Sequence, residues 1–200
     1  MISRRGRRTQ AERRAETRQD LITAAVRLWA ERPISDVSLD LLADTAGYSR
    51  GAFHGNFADK DELVEAVRDS LVEQAANLIN HSVDAEADPL AALGDYMRST
   101  AAYVAAQPAQ TRALVAISRY QEAHRPLSYA DRAAVGAAPI EELLRRGIKS
   151  GTIRQLDVTL TARVIQSALD TLVLTDPPAD PVAVGDQLAT LFTAAVRANP

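Results

Sequence analysis

Residues 38–63, SLDLLADTAGYSRGAFHGNFADKDEL, contain two short helical patterns separated by a glycine. Apolar and alanine residues at helical spacing predict a first helix on SLDLLADTA, and Gly47 is well placed to end it in a left-handed conformation. Ser49 is suited to cap a second short helix, and Asp59 with Glu62 to cap a third. Two helices joined by a tight glycine-containing turn are typical of the helix-turn-helix, whose second helix lies in the DNA major groove.

The outer side of the second helix carries residue types that suit contact with DNA. Packing Phe53 and Phe57 inward leaves Arg50 and Asn56 outside, and these side chains are natural readers of guanine and adenine edges. Small residues on the same side would let the backbone approach the duplex, and hydroxyl groups or charge near helix starts suit phosphates. The sequence therefore predicts these contacts in this region: Ser38, Ser49, Arg50, Gly51, His54, Asn56 and Lys60.

Helical periodicity continues over the rest of the chain. A first amphipathic helix is expected from about Thr9 to Glu31, with Trp29 in the core and Pro33 as its stop. No alternating strand pattern is longer than a few residues. Further helical segments are expected at about 60–81, 89–106, 110–124, 127–148, 158–174 and 181–198, the fourth kinked or split near Pro139. These patterns predict an all-α fold, with a three-helix DNA-binding domain at residues 1–62 and a roughly six-helix domain at 63–200.

Charge is unevenly distributed along the chain. Residues 1–60 hold 11 Lys and Arg against 8 Asp and Glu, whereas the remaining 140 residues hold 12 against 18. A basic head on an acidic body indicates a polyanionic partner at one end. The arm arginines, which can enter a minor groove or simply raise nonspecific affinity, are Arg4, Arg5, Arg7 and Arg8.

Composition narrows the class of protein further. The absence of cysteine excludes disulfides and thiolate chemistry, and no apolar run approaches the roughly 18 residues of a membrane span. We therefore expect a cytoplasmic protein with no membrane association. His81 and His124 are isolated, and no phosphate loop, nucleophile elbow or Glu-x-x-His pair supports an enzyme. Neither a cofactor nor a metal is expected. An adaptor whose helix-turn-helix binds protein is a third class, against which the basic arm argues.

The stretch from Val37 to Leu63 also resembles the DNA-binding domain of the tetracycline-repressor (TetR) family. The resemblance covers roughly residues 15–65 and includes the Ala-Gly-x-Ser turn and the Phe-x-x-Lys-x-x-Leu entry into the fourth helix. It implies a homodimeric one-component regulator, in most cases a repressor, that binds a palindromic operator and a small-molecule effector. It also implies that Lys60 contacts phosphate. His54 stands where the family usually has a phosphate-contacting Tyr, and Pro33 where Gly is common.

The same resemblance implies two sites in the helical body. An effector pocket among the middle helices would draw on Tyr96, Met97, Tyr103, Arg119, Tyr120 and His124, although each residue alone also suits the core or the surface. The sparse charge between residues 90 and 118 favours an apolar or aromatic effector. The last two helices would pair with a partner subunit through Ile165, Leu169, Leu172, Leu188, Leu191 and Phe192. The alternative is that both helices are simply buried in one protomer.

Overall fold

The computed structural model describes residues 9–82, 87–124, 129–174 and 179–198, and the side chains of 80–82, 129–135 and 174 are outside that description. Within these ranges the chain is helical, with one isolated antiparallel bridge between Ile153 and Arg197. The helices are α1 Gln10–Trp29, α2 Leu39–Ala46, α3 Arg50–His54, α4 Lys60–Ser82, α5 Pro89–Ala106, α6 Pro108–His124, α7 Tyr129–Ser150, α8 Val158–Leu174 and α9 Pro181–Val196, with a 3-10 helix at Ile34–Asp36. The all-α prediction is confirmed.

Local capping explains where the first helices begin and end. Thr9 and Glu12 form a capping box at the start of α1, because each side chain bonds the other's backbone N–H. Gly47 ends α2 with φ of +78°, a conformation that costs other residues more than glycine. Asp59 accepts the Glu62 N–H at 2.9 Å, and the Glu62 carboxylate accepts the Ala58 N–H at 2.7 Å, at the start of α4. These signals are local, and the sequence predicted those at Gly47 and at Asp59 with Glu62, although not the capping box of Thr9 and Glu12.

The buried residues form two cores, one in the N-terminal head and one in the body. The head core joins α1, α2 and α3 to the first half of α4 and to Ala113 and Ile117 of α6. The body core joins the end of α4 to α5, α7, α8 and α9. Because α4 contributes Leu63 to Leu71 to the head core and Ile79 to the body core, the helix runs through both. The boundary at residues 62 and 63 therefore stays a prediction, and the packing changes further along α4.

Two features hold the body helices together. Gly185 of α9 lies so close to Ala101 of α5 that a side chain at 185 would overlap it. The C-terminal end is tied to the turn after α7, since Arg154 N–H bonds Val196 O and Ala198 N–H bonds Thr152 O, each at 3.0 Å. Pro139 lies inside α7, which continues through it and is not split there. The absence of an N–H at proline removes one bond from the helix without ending it.

Candidate nucleic-acid interface

Both serines that were predicted to contact phosphate cap helices of the head. The Ser38 hydroxyl accepts the Leu41 N–H at 3.1 Å and so caps α2. The Ser49 hydroxyl accepts the Ala52 N–H at 3.3 Å and so caps α3. Both side chains are exposed, and each hydroxyl keeps its own hydrogen for a further acceptor. The cap at Ser49 fixes the residue at which α3 begins, and a helix that contacts DNA bases needs such a defined start.

The buried side of α3 is anchored to α1 and α4. Phe53 and Phe57 are completely buried, and the Arg18 guanidinium lies 4.1 Å from the centre of the Phe57 ring. Arg18 also donates to the Asn56 carbonyl at 2.9 Å and lies 3.7 Å from the Glu62 carboxylate. This one side chain thus connects α1 to the end of α3 and the start of α4. In the sequence, Arg18 contributed only to the positive charge of the head, and no pattern indicated that it connects these three helices.

Three of the predicted contacts share the exposed side of α3. Arg50, Gly51 and His54 are all exposed, and His54 lies four residues after Arg50 and three after Gly51 on one helix. The His54 ring stands edge-on to Phe53, with ring centres 5.5 Å apart. A methyl group at Gly51 would meet only the Ser49 hydroxyl, at an ordinary 3.7 Å, and Gly51 has no positive φ. Nothing in the described part of the chain therefore requires glycine at position 51.

Arg50 is held by a carboxylate of the preceding helix. Its Nη1 lies 3.0 Å from Oδ2 and 3.2 Å from Oδ1 of Asp40, near the start of α2. About three fifths of each side chain is exposed, so this ion pair adds little to folding stability. It does fix the direction of the guanidinium, and it leaves Nη2 and Nε for other acceptors. The sequence predicted Arg50 but not Asp40, which no local pattern connects to it.

Asn56 and Lys60 do not join the exposed set. The Asn56 amide donates to the Ala52 carbonyl at 2.8 Å, and its Oδ1 is buried without a partner among the described residues. The Lys60 ammonium donates to the Ile34 carbonyl at 3.1 Å and ties the start of α4 to the 3-10 helix. Both side chains are half-buried, and Lys60 keeps two further N–H groups. Arg4, Arg5, Arg7 and Arg8 lie outside the described residues.

Tyr48, in the turn between α2 and α3, is a further residue that the sequence did not indicate. Its hydroxyl donates to Asp20 of α1 at 2.7 Å. This hydrogen bond to a carboxylate is the main cause that raises the pKa of Tyr48 above its ordinary value. The contact spans 28 residues of sequence. It holds the turn between α2 and α3 against α1.

The six predicted effector contacts fall into two groups. Tyr96, Met97 and Tyr103 of α5 are buried in the body core, whereas Arg119, Tyr120 and His124 lie on α6, beside the head. Burial is the main cause that raises the pKa of both Tyr96 and Tyr103. Helical spacing alone could not reveal that α5 and α6 present these residues to different surroundings. The structure therefore places the six residues in two different surroundings.

Tyr120 links the body to the head. Its hydroxyl donates to Asp61 at the start of α4 at 2.7 Å, and its ring stacks on His124 with centres 4.1 Å apart. Burial first, and then the bond to Asp61, raise the pKa of Tyr120 to about 12. The phenol is therefore a neutral donor throughout the physiological pH range. Clefts flank this part of α6 on two sides.

A polar group of the body, which we call the buried polar group, consists of the buried Tyr96 and two half-buried residues of α8. Gln166 donates to the Asp170 carboxylate at 2.8 Å, and its own Oε1 is buried without a partner among the described residues. Burial is the main cause that raises the pKa of Asp170, and the bond from Gln166 partly offsets it. The Asp170 charge in turn adds to the rise in the pKa of Tyr96. Gln166 and Asp170 were not predicted, because single polar residues on an apolar helix gave no pattern.

The residues predicted for a dimer interface differ in how far they are exposed in the single chain. Ile165, Leu169 and Leu172 are buried in the protomer's own core, and Leu188 and Phe192 are partly buried against it. Only Leu191 is largely exposed, at 61%. Helices α8 and α9 are apolar on more than one side, and the sequence did not show which side faces inward. Exposed apolar residues on the outer sides are Leu160, Val164, Val182 and Leu191.

The described residues also bear on metal binding and on membrane insertion. Within the described residues, no group of three or more histidine or acidic side chains could hold a metal ion. In the same part of the chain, every helix is too short or too polar to cross a membrane.

Comparison with known proteins agrees with the geometry of the head. The family model described as bacterial regulatory proteins, tetR family, matches residues 21–67. The HTH-type transcriptional regulator TtgR of Pseudomonas putida is 41% identical over 85 residues, which are 42% of this chain and 40% of that protein. The HTH-type nicotine-responsive transcriptional repressor HdnoR of Paenarthrobacter nicotinovorans is 36% identical over 73 residues, 36% of this chain and 38% of that protein. The chain thus spans about two fifths of the curated relatives it matches.

Solved structures match nearly the whole chain in fold. A TetR transcription regulator from Haloarcula marismortui ATCC 43049 superposes with a TM-score of 0.75 over 92% of this chain and 99% of that one, at 21% identity. The ketosteroid transcriptional regulator KstR2 of Mycobacterium tuberculosis superposes with a TM-score of 0.64 over 91% of this chain and 95% of that one, at 24% identity. The family model and the curated relatives indicate the TetR family of transcriptional regulators, and the solved structures show that the fold is shared over nearly the whole chain. Both curated relatives named here are transcriptional regulators.

Proposed function

We propose that this protein is a DNA-binding transcriptional regulator whose helix α3 reads a specific operator. The observation that carries the proposal is the exposed group of Arg50, Gly51 and His54 on a short helix that is fixed from beneath by Phe53, Phe57 and Arg18. Arg50 would read a guanine edge, and Gly51 would let the backbone approach the groove. Regulators of this kind act in the cytoplasm, with the DNA.

Phosphate contacts would fix the register of the head on the duplex. Ser38 and Ser49 have exposed hydroxyls, and His54 is an exposed ring beside Arg50. Lys60 would donate to a phosphate through the two N–H groups that are not bonded to the Ile34 carbonyl. Such contacts position a protein without reading sequence. Asn56, whose amide bonds Ala52, would have to break that bond to reach a base, so we assign it to the structure of the turn.

The proposed active form is a homodimer that binds a palindromic operator. Leu160 and Val164 lie four residues apart on the outer side of α8, and Leu191 is exposed on α9, with exposures of 61%, 50% and 61%. Apolar residues in such a row are typical of an interface. A two-fold dimer places two copies of α3 on half-sites separated by about one helical turn of DNA, or a multiple of it. Leu188 and Phe192, which are partly buried, would form the border of this surface.

The proposed switch is a small-molecule effector that binds in the body and releases the DNA. HdnoR is described as a nicotine-responsive repressor, which is a precedent within the relatives. In this chain the support is the buried polar group of Tyr96, Gln166 and Asp170, in which the Gln166 carbonyl oxygen has no partner among the described residues. An effector with a hydrogen-bond donor on an apolar frame would satisfy that oxygen. Repression follows from steric exclusion, since a dimer on an operator blocks other proteins.

Selection of bound duplexes from a random DNA pool tests the proposed function. The wild-type chain should enrich an inverted repeat, and an Arg50→Ala variant should lose the enrichment at one base position in each half-site. An Arg27→Ala variant, changed at an exposed arginine on α1, is the matched control and should enrich the same sequence. Enrichment of no sequence by the wild type would contradict DNA recognition and favour an adaptor that binds protein.

A further inference from the structure

A cleft lies between the end of the head helix α1 and the outer side of α6. It has a volume of about 500 Å³, which is within the range of roughly 300–1,000 Å³ that small-molecule sites occupy. The head contributes the end of α1 and the start of the 3-10 helix, and the body contributes residues 112–124 of α6. We call it the basic cleft. It is separate from the buried polar group of the body, which lies around α5 and α8.

Positive charge distinguishes the basic cleft from its neighbour. Its lining includes Arg32, Arg112 and Arg119, with Glu31 as the only acidic residue in the lining described. Arg112 donates from Nε to the Ala30 carbonyl at 3.2 Å, which holds its guanidinium at the cleft. Arg32 and Arg119 are exposed, and neither forms an ion pair within the described ranges. Three guanidinium groups therefore face one acidic side chain.

The cleft on the other side of α6 has the opposite character. This second cleft has a volume of about 620 Å³. Its lining contains four acidic residues and one arginine, Arg68; the acidic residues are Asp59, Asp61, Glu62 and Glu65. Arg68 is already paired, because it lies within 2.8 Å of both Glu65 and Asp69. Tyr120 and His124 line both clefts. The contrast shows that the positive charge of the basic cleft is local and does not reflect the net charge of −3.

The basic cleft also offers apolar surface for the body of a ligand. Pro33, Ile34, Val115 and Ala116 contribute to its lining together with Trp29. Trp29 is 1% exposed, and its indole N–H has no acceptor among the described residues. Buried donors without partners are uncommon, and an acceptor brought into the cleft could satisfy this one after a small movement of the lining. The site thus combines guanidinium groups with an aromatic and aliphatic floor.

We propose that the basic cleft binds a small organic anion, a carboxylate joined to an aromatic or apolar body. The carboxylate would be held by Arg32, Arg112 and Arg119, because guanidinium groups match carboxylate geometry through paired N–H groups. The apolar body would lie against Pro33, Ile34 and the region over Trp29. This site is additional to the effector site that we place in the body.

The position of the basic cleft gives the bound anion a means of regulation, and this part rests on the proposed function. The ligand would contact the head through Arg32 and the body through Arg119. It would also compete with the Ala30 carbonyl for Arg112, whose hydrogen bond links α6 to the end of α1 in addition to their packing in the head core. A ligand shifts an equilibrium between two states only as far as it binds them differently. The anion should therefore change operator affinity by altering how α6 seats on α1.

The single tryptophan of the chain provides a direct binding test, since Trp29 lies in the lining. The emission of Trp29 is titrated with 4-phenylbutyrate, and 4-phenylbutylamine serves as the cationic probe of the same shape. The carboxylate should give a saturable change that salt weakens, and the amine should give none. In an Arg32→Gln/Arg119→Gln variant the dissociation constant for the carboxylate should rise at least tenfold. An Arg27→Gln variant, changed at an exposed arginine outside the lining, should bind as the wild type does.

Several results would overturn the proposal. These are the absence of a saturable change with 4-phenylbutyrate, equal binding of the amine, or undiminished binding by the double variant. Circular dichroism and thermal unfolding of the double variant show whether it folds. Because the titration contains no DNA, its outcome is independent of operator binding. Adding the carboxylate to an operator titration then tests regulation alone, and an unchanged operator affinity would leave binding intact but contradict the regulatory part.

Discussion

The Asp40 carboxylate of α2 holds the Arg50 guanidinium of α3 by both oxygens, at 3.0 and 3.2 Å from a single nitrogen. Arg50 is the residue that the proposal assigns to base reading, so its neighbour bears on specificity. The pair uses Nη1 and leaves the other N–H groups of the guanidinium available. In this arrangement Asp40 restricts Arg50 to fewer directions before DNA arrives, and it also places negative charge beside the duplex.

Replacing Asp40 by asparagine should therefore separate specificity from affinity. Loss of the negative charge removes a repulsion from phosphate, so binding to random duplex should strengthen or stay equal. Loss of the ion pair lets Arg50 reach phosphates and alternative bases, so the ratio of operator to random affinity should fall severalfold. Fluorescence anisotropy with both duplexes at one salt concentration measures this ratio. A ratio equal to that of the wild type would show that Asp40 does not direct Arg50.

Gly51→Ala tests whether the glycine serves an external partner. The added methyl group meets only the Ser49 hydroxyl at 3.7 Å, and alanine is the better helix former by up to about 1 kcal/mol. The variant should therefore unfold at an equal or higher denaturant concentration than the wild type. Operator binding should nevertheless weaken at least tenfold, because the methyl group would occupy the space between the backbone and the groove. Unchanged operator affinity would mean that α3 does not approach DNA at this position.

The head was predictable from sequence because its signals are local. Ser49 and Ala52, or Asp59 and Glu62, lie three residues apart, so capping could be recognised without the fold. The contacts that position the site are not local: Arg18 reaches Asn56 across 38 residues, and Tyr120 reaches Asp61 across 59. Periodicity shows that a residue is on an apolar side of a helix, but it does not show what that side meets. For this reason the structure places the predicted effector residues in two different surroundings, and it buries some of the predicted interface residues while exposing Leu191.

Leu191→Asp tests the proposed dimer. Leu191 is 61% exposed in the protomer, so an aspartate there should not disturb folding of the single chain. In a dimer the same charge would be buried against an apolar surface without a partner, which is strongly unfavourable. Sedimentation at micromolar concentration should show a monomer. The matched control is Val72→Asp on α4, at 42% exposure, which should remain dimeric. A dimeric Leu191→Asp protein would remove α9 from the interface.

Asp170→Asn tests the cost of the buried polar group in the body. Burial raises the pKa of Asp170 above its ordinary value of 3.8, so the folded state holds the proton more tightly than the unfolded state does. Stability from this group is therefore present at acid pH and is lost as the pH rises through the folded-state pKa. The asparagine variant should be more stable than the wild type at pH 7, and the difference should shrink as the pH falls towards 4. Urea unfolding of both proteins at several pH values measures this difference in the free energy of unfolding.

A matched change at an exposed carboxylate provides the comparison for Asp170. Asp44→Asn on α2 is in the head and exposed, so it should leave the stability difference small at every pH. An Asp170→Asn protein that is less stable than the wild type at pH 7 would mean that the charge is favourably held in the folded state. The polar group would then be part of the framework of the body, and its use as an effector site would lose its support.

The central claim, that α3 reads DNA sequence through Arg50, is tested most directly by anisotropy titration of Arg50→Ala. The two duplexes are the selected operator and a scrambled sequence of equal length, at one salt concentration. The proposal predicts a loss of roughly 1–3 kcal/mol on the operator and almost none on the scrambled duplex. Equal losses on both duplexes would contradict it and would show that Arg50 contacts the phosphate backbone.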